Sequence, residues 1–273
     1  MVRFYNYKKE HPFKEELQSI WALVNDESSC RLPLIADGFP EILFLLKGKL
    51  NIVVDSEKFS VKKDALIGLV DKHAYLELGS DTVILSFKMM PWITSNVLGD
   101  QAYLIKNQVV SLEDIGYNFF PSYIDSSSFY DIDKVISRVI NEKLSRLLNT
   151  HREATPALKL DIFKLFNSIQ NLSAPQKQTG STRYFEMQYR EHIGVSPMRY
   201  KRLLRIKKAS LVLAENINVK IEPLALALGY YDLSHFYKDF ASFTSSTPLA
   251  YNESVFSKSL LNTEDYIQQY YYS

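Results

Sequence analysis

The sequence predicts an α+β protein: an antiparallel β-rich domain with added helices over residues 1–172, an all-α domain over 173–260 and a short aromatic tail over 261–273. Three observations predict it. β-formers cluster and alternate between Arg31 and Trp92, apolar residues recur at helical spacing from Asp131 onward, and the C-terminal region matches itself at a shift of 51 positions.

A chain of 273 residues suits two domains, each with its own core, and 46% hydrophobic with 23% charged residues is ordinary globular composition. The net charge of +1 hides an asymmetry, because Pro175 to Leu260 holds twelve Lys/Arg against seven Asp/Glu. A basic C-terminal third on a mildly acidic body points to a polyanionic partner. Cys30, the single cysteine, excludes an internal disulfide framework and a multi-thiolate metal site. The N-terminus is charged throughout, unlike a signal peptide, and the longest apolar run, "ILFLL", stops at Lys47. That is far short of the roughly 20 residues that span a bilayer. A cytoplasmic location and no membrane partner are expected.

"EILFLLKGKLNIVVDSEKFSV" and "AYLELGSDTVILSFKMM" read as strands broken by polar turns, with Gly79-Ser80-Asp81 as one turn signal. After Pro91 short helical pieces mix with loops. "DIDKVISRVINEKLSRLLN" then sets Ile132, Val135, Ile136, Val139, Ile140, Leu144, Leu147 and Leu148 at helical spacing. Pro156, with a φ suited to a first turn, opens a further helix through "ALKLDIFKLFNSIQ", ending near Leu172. The breaker-rich "SAPQKQTG" marks the boundary.

In the self-match, Phe185 falls on Phe236, Tyr189 on Phe240, Ser196 on Thr247, Pro197 on Pro248 and Tyr200 on Tyr251. The module is therefore duplicated. In the first copy Ser181 can cap a helix whose Phe185, Tyr189 and Ile193 form a buried seam, with Arg183, Glu186, Met187 and Arg190 on another face. In the second copy Asp232 caps, Phe236, Phe240 and Phe243 form the seam, and Ser234, Tyr237, Lys238 and Ala241 lie outward. A short helix with Leu224, Ala225 and Leu228 inward precedes it and stops at Gly229, which tolerates φ > 0. Small Ala225 suits a close helix crossing. Short helix, glycine turn and capped helix with a polar outer face is the grammar of a helix-turn-helix, whose outer face reads base edges in a major groove. An ordinary surface helix would satisfy one copy alone.

Between the copies "MRYKRLLRIKKASLVL" carries Arg199, Lys201, Arg202, Arg205, Lys207 and Lys208 without an acid. A basic run usually means a solvated face. Here a helix of about 16 residues spans roughly 24 Å, and with its turns it can hold two reading helices near the ~34 Å between successive major grooves on one face of DNA. Its charges would then meet phosphates.

"STRYFEMQYREHIGVSPMRYKRLLRIKKA" and "IEPLALALGYYDLSHFYKDFASFTSSTPLAY" resemble the DNA-binding domain of the AraC/XylS family of transcription regulators, the second through Ile221, Leu224, Ala225, Gly229, Tyr230, Asp232, Ser234, His235, Phe236, Phe240, Thr247, Pro248 and Tyr251. The resemblance implies two helix-turn-helix units, rigidly joined, that bind adjacent major grooves of double-stranded promoter DNA. By position it assigns base reading to Arg183, Glu186 and Met187 in the first unit and to Leu233, Ser234, Tyr237 and Lys238 in the second. Thr182, Arg190, Arg199, Lys201, Arg202, Arg205, Lys208 and His235 would touch phosphates, while Gly194, Pro197, Ala225, Gly229, Asp232, Phe236, Phe240 and Pro248 would be structural. The chain departs from the pattern twice: Pro175 and Gly180 fall where the first unit's leading helix belongs, and Ser245 replaces the glycine that Gly194 keeps. "LPLIADGFPEILFLLKG" and "SFKMMPW" are similar to the N-terminal domain of some relatives, which implies a cupin-like barrel that binds an effector or mediates dimerisation.

No enzyme is expected. His11, His73, His151, His192 and His235 are scattered, and no phosphate-cradling glycine loop or GxSxG turn occurs. Neither a metal nor a cofactor is called for. RNA polymerase and a second copy of the chain are expected partners, and an apolar effector is expected among Phe39, Phe44, Phe59, Tyr75, Phe87 and Trp92, residues that would equally make a packed core. A regulator that titrates a protein partner without reading DNA is the alternative.

Overall fold

A computed structural model describes residues 2–34, 36–117, 132–144, 148, 154–172, 182–215 and 218–252. Ten strands lie among them: β1 (Val2–Asn6), β2 (Leu17–Asn25), β3 (Cys30–Leu34), β4 (Glu41–Lys47), β5 (Leu50–Val54), β6 (Glu57–Val61), β7 (Asp64–Ile67), β8 (Ala74–Leu78), β9 (Thr82–Met89) and β10 (Val109–Val110). They form a six-stranded sheet, β1-β2-β9-β4-β7-β10, and a four-stranded sheet, β3-β8-β5-β6. Every pairing is antiparallel. Successive strands mostly alternate between the sheets, which is the double-sheet jelly roll of cupin-like barrels.

β5 and β6 make a tight hairpin around Asp55 and Ser56, both at positive φ (47° and 79°) as a primed turn requires. The Gly79-Ser80-Asp81 turn instead carries the chain from one sheet to the other. Three strands, β1, β2 and β10, escape the sequence reading, which runs from Arg31 to Trp92. Of these, β2 lies between β1 and β9 and is largely buried on both faces, so it shows no polar alternation.

The helices are α1 (Ile93–Leu98), running into a 3₁₀ segment (Gly99–Ile105), α2 (Ile132–Val139), continuing as a π-helical turn (Ile140–Leu144), α3 (Pro156–Gln170), α4 (Thr182–Ile193), α5 (Pro197–Glu215), α6 (Ile221–Ala227), α7 (Leu233–Thr244) and α8 (Pro248–Asn252). The expected seam of α2 is buried at Val135, Ile136, Val139, Ile140, Leu144 and Leu148. Pro156 does open α3, capped by the Thr155 hydroxyl, which accepts from Leu158 N–H. Ser181, the segment 173–180, Leu147, His151 and the tail 261–273 lie outside the described residues or side chains.

One contiguous hydrophobic cluster runs from Tyr7 in the barrel to Tyr251 in α8. Helix α5 is its hub, with Tyr200, Leu203, Ala209 and Leu213 fully buried. It lies against Gly38 so closely that a Cβ there would sit 2.9 Å from Leu203 Cδ2 and 3.1 Å from Tyr200 Cε2. The Tyr200 hydroxyl donates to the Gly38 carbonyl at 3.2 Å, and its ring meets Phe166 and Tyr189 edge to face. Phe166 of α3 in turn stacks on Phe39 of the barrel at 5.2 Å, so α3 is wedged between β domain and helical domain.

Candidate nucleic-acid interface

The second helix-turn-helix is built as its sequence dictates. α6 buries Leu224 and Ala225, and the chain turns at Gly229, φ 77°, whose N–H bonds Leu226 O while Tyr230 N–H bonds Ala225 O. Asp232 caps α7, its carboxylate accepting from His235 N–H at 2.7 Å. Phe236, Phe240 and Phe243 are buried behind the helix, while Leu233, Ser234, Tyr237 and Lys238 are exposed. Ser245 ends the helix in the left-handed region at φ 53°, where a side chain costs about 1 kcal/mol. Pro248 is buried at the start of α8.

Gly229→Ala is expected to cost about 1–2 kcal/mol, because an L residue is strained at that φ and its Cβ would lie 2.8 Å from Arg205 Nη2. Thermal melts of the variant should report it.

In the described part of the first unit, α4 has the same two faces. Phe185, Tyr189 and Ile193 are buried, and Arg183, Glu186, Met187 and Arg190 are exposed, none of their side chains making a hydrogen bond or ion pair to another described residue. Thr182 is the first residue of α4. The back of the helix is pinned by polar contacts: the Tyr189 hydroxyl donates to Asp161 at 2.9 Å, Thr155 donates to Gln188 at 3.2 Å, and Ser95 of α1 lies 2.7 Å from His192 Nδ1. Burial, and then the charge of Asp161, push the Tyr189 phenol well above its usual range. Gly194, φ 86°, closes α4, and Pro197 opens α5.

The basic helix between them also serves the protein's own packing. Arg199, Lys201, Arg202, Arg205 and Lys208, read from sequence as phosphate contacts, lie on α5, which is embedded in the core, and several of their charges meet groups inside the protein. Arg199 donates Nε–H to Asp71 at 2.8 Å and a second N–H to the Asp71 carbonyl at 3.0 Å, with its guanidinium 4.3 Å from the Phe243 ring centroid. Arg202 grips Asp239 with two N–H groups. Arg205 lies over the Tyr230 ring at 5.3 Å, and burial lowers its pKa. Lys207 is buried over Phe39, and Lys208 donates to Gln170 at 3.2 Å. Lys201 is half-buried, its pKa lowered by burial and then by Arg205. Their aliphatic stems serve the core while the charged heads find carboxylates and rings.

Two acids that the sequence reading passed over organise this. Asp239, 1% exposed, accepts from Arg202 and from the Tyr230 hydroxyl at 3.1 Å, with His235 Nε2 at 3.7 Å. The hydrogen bonds that Arg202 donates to Asp239 raise the Arg202 pKa, and burial followed by the Asp239 charge raises that of Tyr230. Asp239 lies three residues after Phe236 on the buried side, a position that marks an acid facing the basic helix. Asp71, 2% exposed, joins the β domain to α5 through Arg199. Burial pushes its pKa up, but hydrogen bonds from Asn107 and Arg199 and the charges of Arg199 and Lys106 outweigh that and leave it lowered. Its partner is 128 residues away, and no local pattern signals the pair.

Four of the aromatics expected to hold an effector, Phe39, Phe44, Phe87 and Trp92, are buried against other rings. Phe44 meets Phe87 edge to face, Trp92 meets Phe163, and Phe39 stacks on Phe166. A cavity of about 280 Å³ lies instead between barrel and helices, lined by Pro33, Leu34, His73, Ile206, Phe243 and Tyr251 among others. Among the described residues no group of three or more His, Cys, Asp or Glu is placed to hold a metal, and no helix is long and apolar enough to cross a membrane.

A family model described as a helix-turn-helix domain matches residues 179–254. No curated protein matches the sequence. Among solved structures, ToxT from Vibrio cholerae O395 is 11% identical with a TM-score of 0.45, over 93% of this chain and 96% of that one. Wild-type ToxT from strain SCE256, crystallised with an unsaturated fatty acid, is 13% identical with a TM-score of 0.42, over 92% and 94%. An RmlC-like cupin protein from Desulfovibrio desulfuricans is 13% identical with a TM-score of 0.26, over 32% of this chain and 81% of that one. By the family match, residues 179–254 are a helix-turn-helix domain.

Proposed function

We propose that this chain is a transcription regulator that binds promoter DNA sequence-specifically by inserting α4 and α7 into adjacent major grooves, under the control of its β domain and without chemistry of its own. The observation that carries the reading is the pair of exposed faces, Arg183-Glu186-Met187 and Leu233-Ser234-Tyr237-Lys238, each backed by a buried aromatic seam. Arginine pairs with guanine O6 and N7, and glutamate accepts from cytosine N4. Arg190 and His235 are the exposed candidates for phosphates. α5, 19 residues and about 28 Å long, is the spacer. RNA polymerase is the partner at the promoter. The β domain acts through a second copy of the chain or through an apolar effector, for which the cavity between barrel and helices offers room.

Footprinting on the DNA upstream of the protein's own coding region tests this. Two protected segments one helical turn apart are expected, with affinity falling steeply as salt rises. Arg183→Ala and Lys238→Ala should each weaken specific binding by about 1–3 kcal/mol while leaving the melting temperature near wild type, since both residues stand clear of the core. Protein that shifts no duplex, or variants that lose binding only by unfolding, would refute the reading and favour a partner-titrating regulator.

A further inference from the structure

A cleft of about 360 Å³ opens between the β domain and the turn that follows the first reading helix. Lys72 and Lys106 of the β domain, Arg190 at the end of α4 and Arg199 of α5 line it, against a single carboxylate, Asp71. That carboxylate is already satisfied, by Arg199 at 2.8 Å and by the Asn107 amide at 2.7 Å. Lys72 pairs with Asp55 at the surface. Lys106 stands 3.6 Å from Asp71, whose charge Arg199 has neutralised, and the Arg190 side chain makes no ion pair or hydrogen bond to another described residue. The cleft therefore holds about two uncompensated positive charges, with cationic side chains from the β domain, α4 and α5 along its wall, which suits a phosphate group.

The position of Arg190 indicates where the phosphate comes from. Arg190 follows Glu186 and Met187 by four and three residues and Arg183 by seven, so the cleft begins where the exposed face of α4 ends. A helix lying in a major groove has the sugar-phosphate backbone along its flanks and ends. Lys72 and Lys106 would then face the same strand as Arg190.

We propose that Lys72 and Lys106, together with Arg190, hold a backbone phosphate of the DNA read by α4, making the β domain part of the DNA interface. The inference rests on the proposed DNA-reading function. Its test is the salt dependence of binding by the full-length protein to a duplex carrying the footprinted site. Lys106→Ala and Lys72→Ala are each expected to weaken binding to every duplex by the same factor and to lower the slope of log affinity against log salt by about 0.9. Lys106→Arg should restore the slope, and base preference should stay unchanged, unlike in Arg183→Ala. Thermal melts of Lys72→Ala, whose side chain is 45% exposed and pairs only at the surface, guard against loss of fold. Wild-type protein that binds no duplex would overturn both this inference and the reading beneath it. Specific binding whose slope survives both alanine variants would overturn this inference alone. Stabilisation by inorganic phosphate that Lys106→Ala abolishes, with the DNA slope intact, would assign the cleft to a free anion and overturn it as well.

Discussion

Asp239→Ala is expected to lower stability by about 3–5 kcal/mol, with the second helix-turn-helix losing its structure first. The carboxylate is buried, and its removal strands the Arg202 guanidinium without its two acceptors and the Tyr230 hydroxyl without its only acceptor among the described residues. Breaking one side of such a pair costs far more than the pair contributes, because the remaining charge stays desolvated. Asp239→Asn keeps the shape and should still lose most of the stability, since it cannot answer the charge. Arg202→Met combined with Asp239→Leu should recover much of it, as apolar replacements of similar size do for buried ion pairs. Denaturant melts of the three variants check this. A wild-type midpoint in Asp239→Ala would show that Arg202 has turned out to solvent and that the pair is dispensable.

Tyr200→Ala is the second large effect, expected at about 3–5 kcal/mol for the emptied aromatic site. Tyr200 is fully buried and touches three different parts of the molecule: Gly38 in the β domain, Phe166 in α3 and Tyr189 in α4. Its loss should therefore destabilise barrel and helices together, visible as a drop in one shared calorimetric transition. Tyr200→Phe, which gives up the hydrogen bond to Gly38 and keeps the ring, should cost about 0.5–1.5 kcal/mol. Two separate transitions in the wild type, with only one moved by Tyr200→Ala, would contradict a common core.

What the sequence made legible was local. The α7 seam, the Asp232 cap and the Gly229 turn are each written within a few residues, and the 51-residue self-match doubled their weight. Helix α5 shows where such reading ends. Six cations without an acid look like a solvated face, because sequence neighbours were the only partners in view. The acids that meet them stand elsewhere in the chain, Asp239 beyond the next helix and Asp71 in another domain. The β domain is harder for a related reason: a strand covered on both faces, such as β2, keeps no polar rhythm, and the pairing of β3 with β8 joins residues forty or more positions apart.

The seating of α5 against Gly38 also bears on how the chain can be divided. A fragment starting after the barrel would present Tyr200, Leu203 and Leu204 to water as an oily stripe, next to an Arg199 whose carboxylate had been cut away. Such a piece would be prone to clump or to seek another apolar cover, so the helical half depends on the barrel for its solubility.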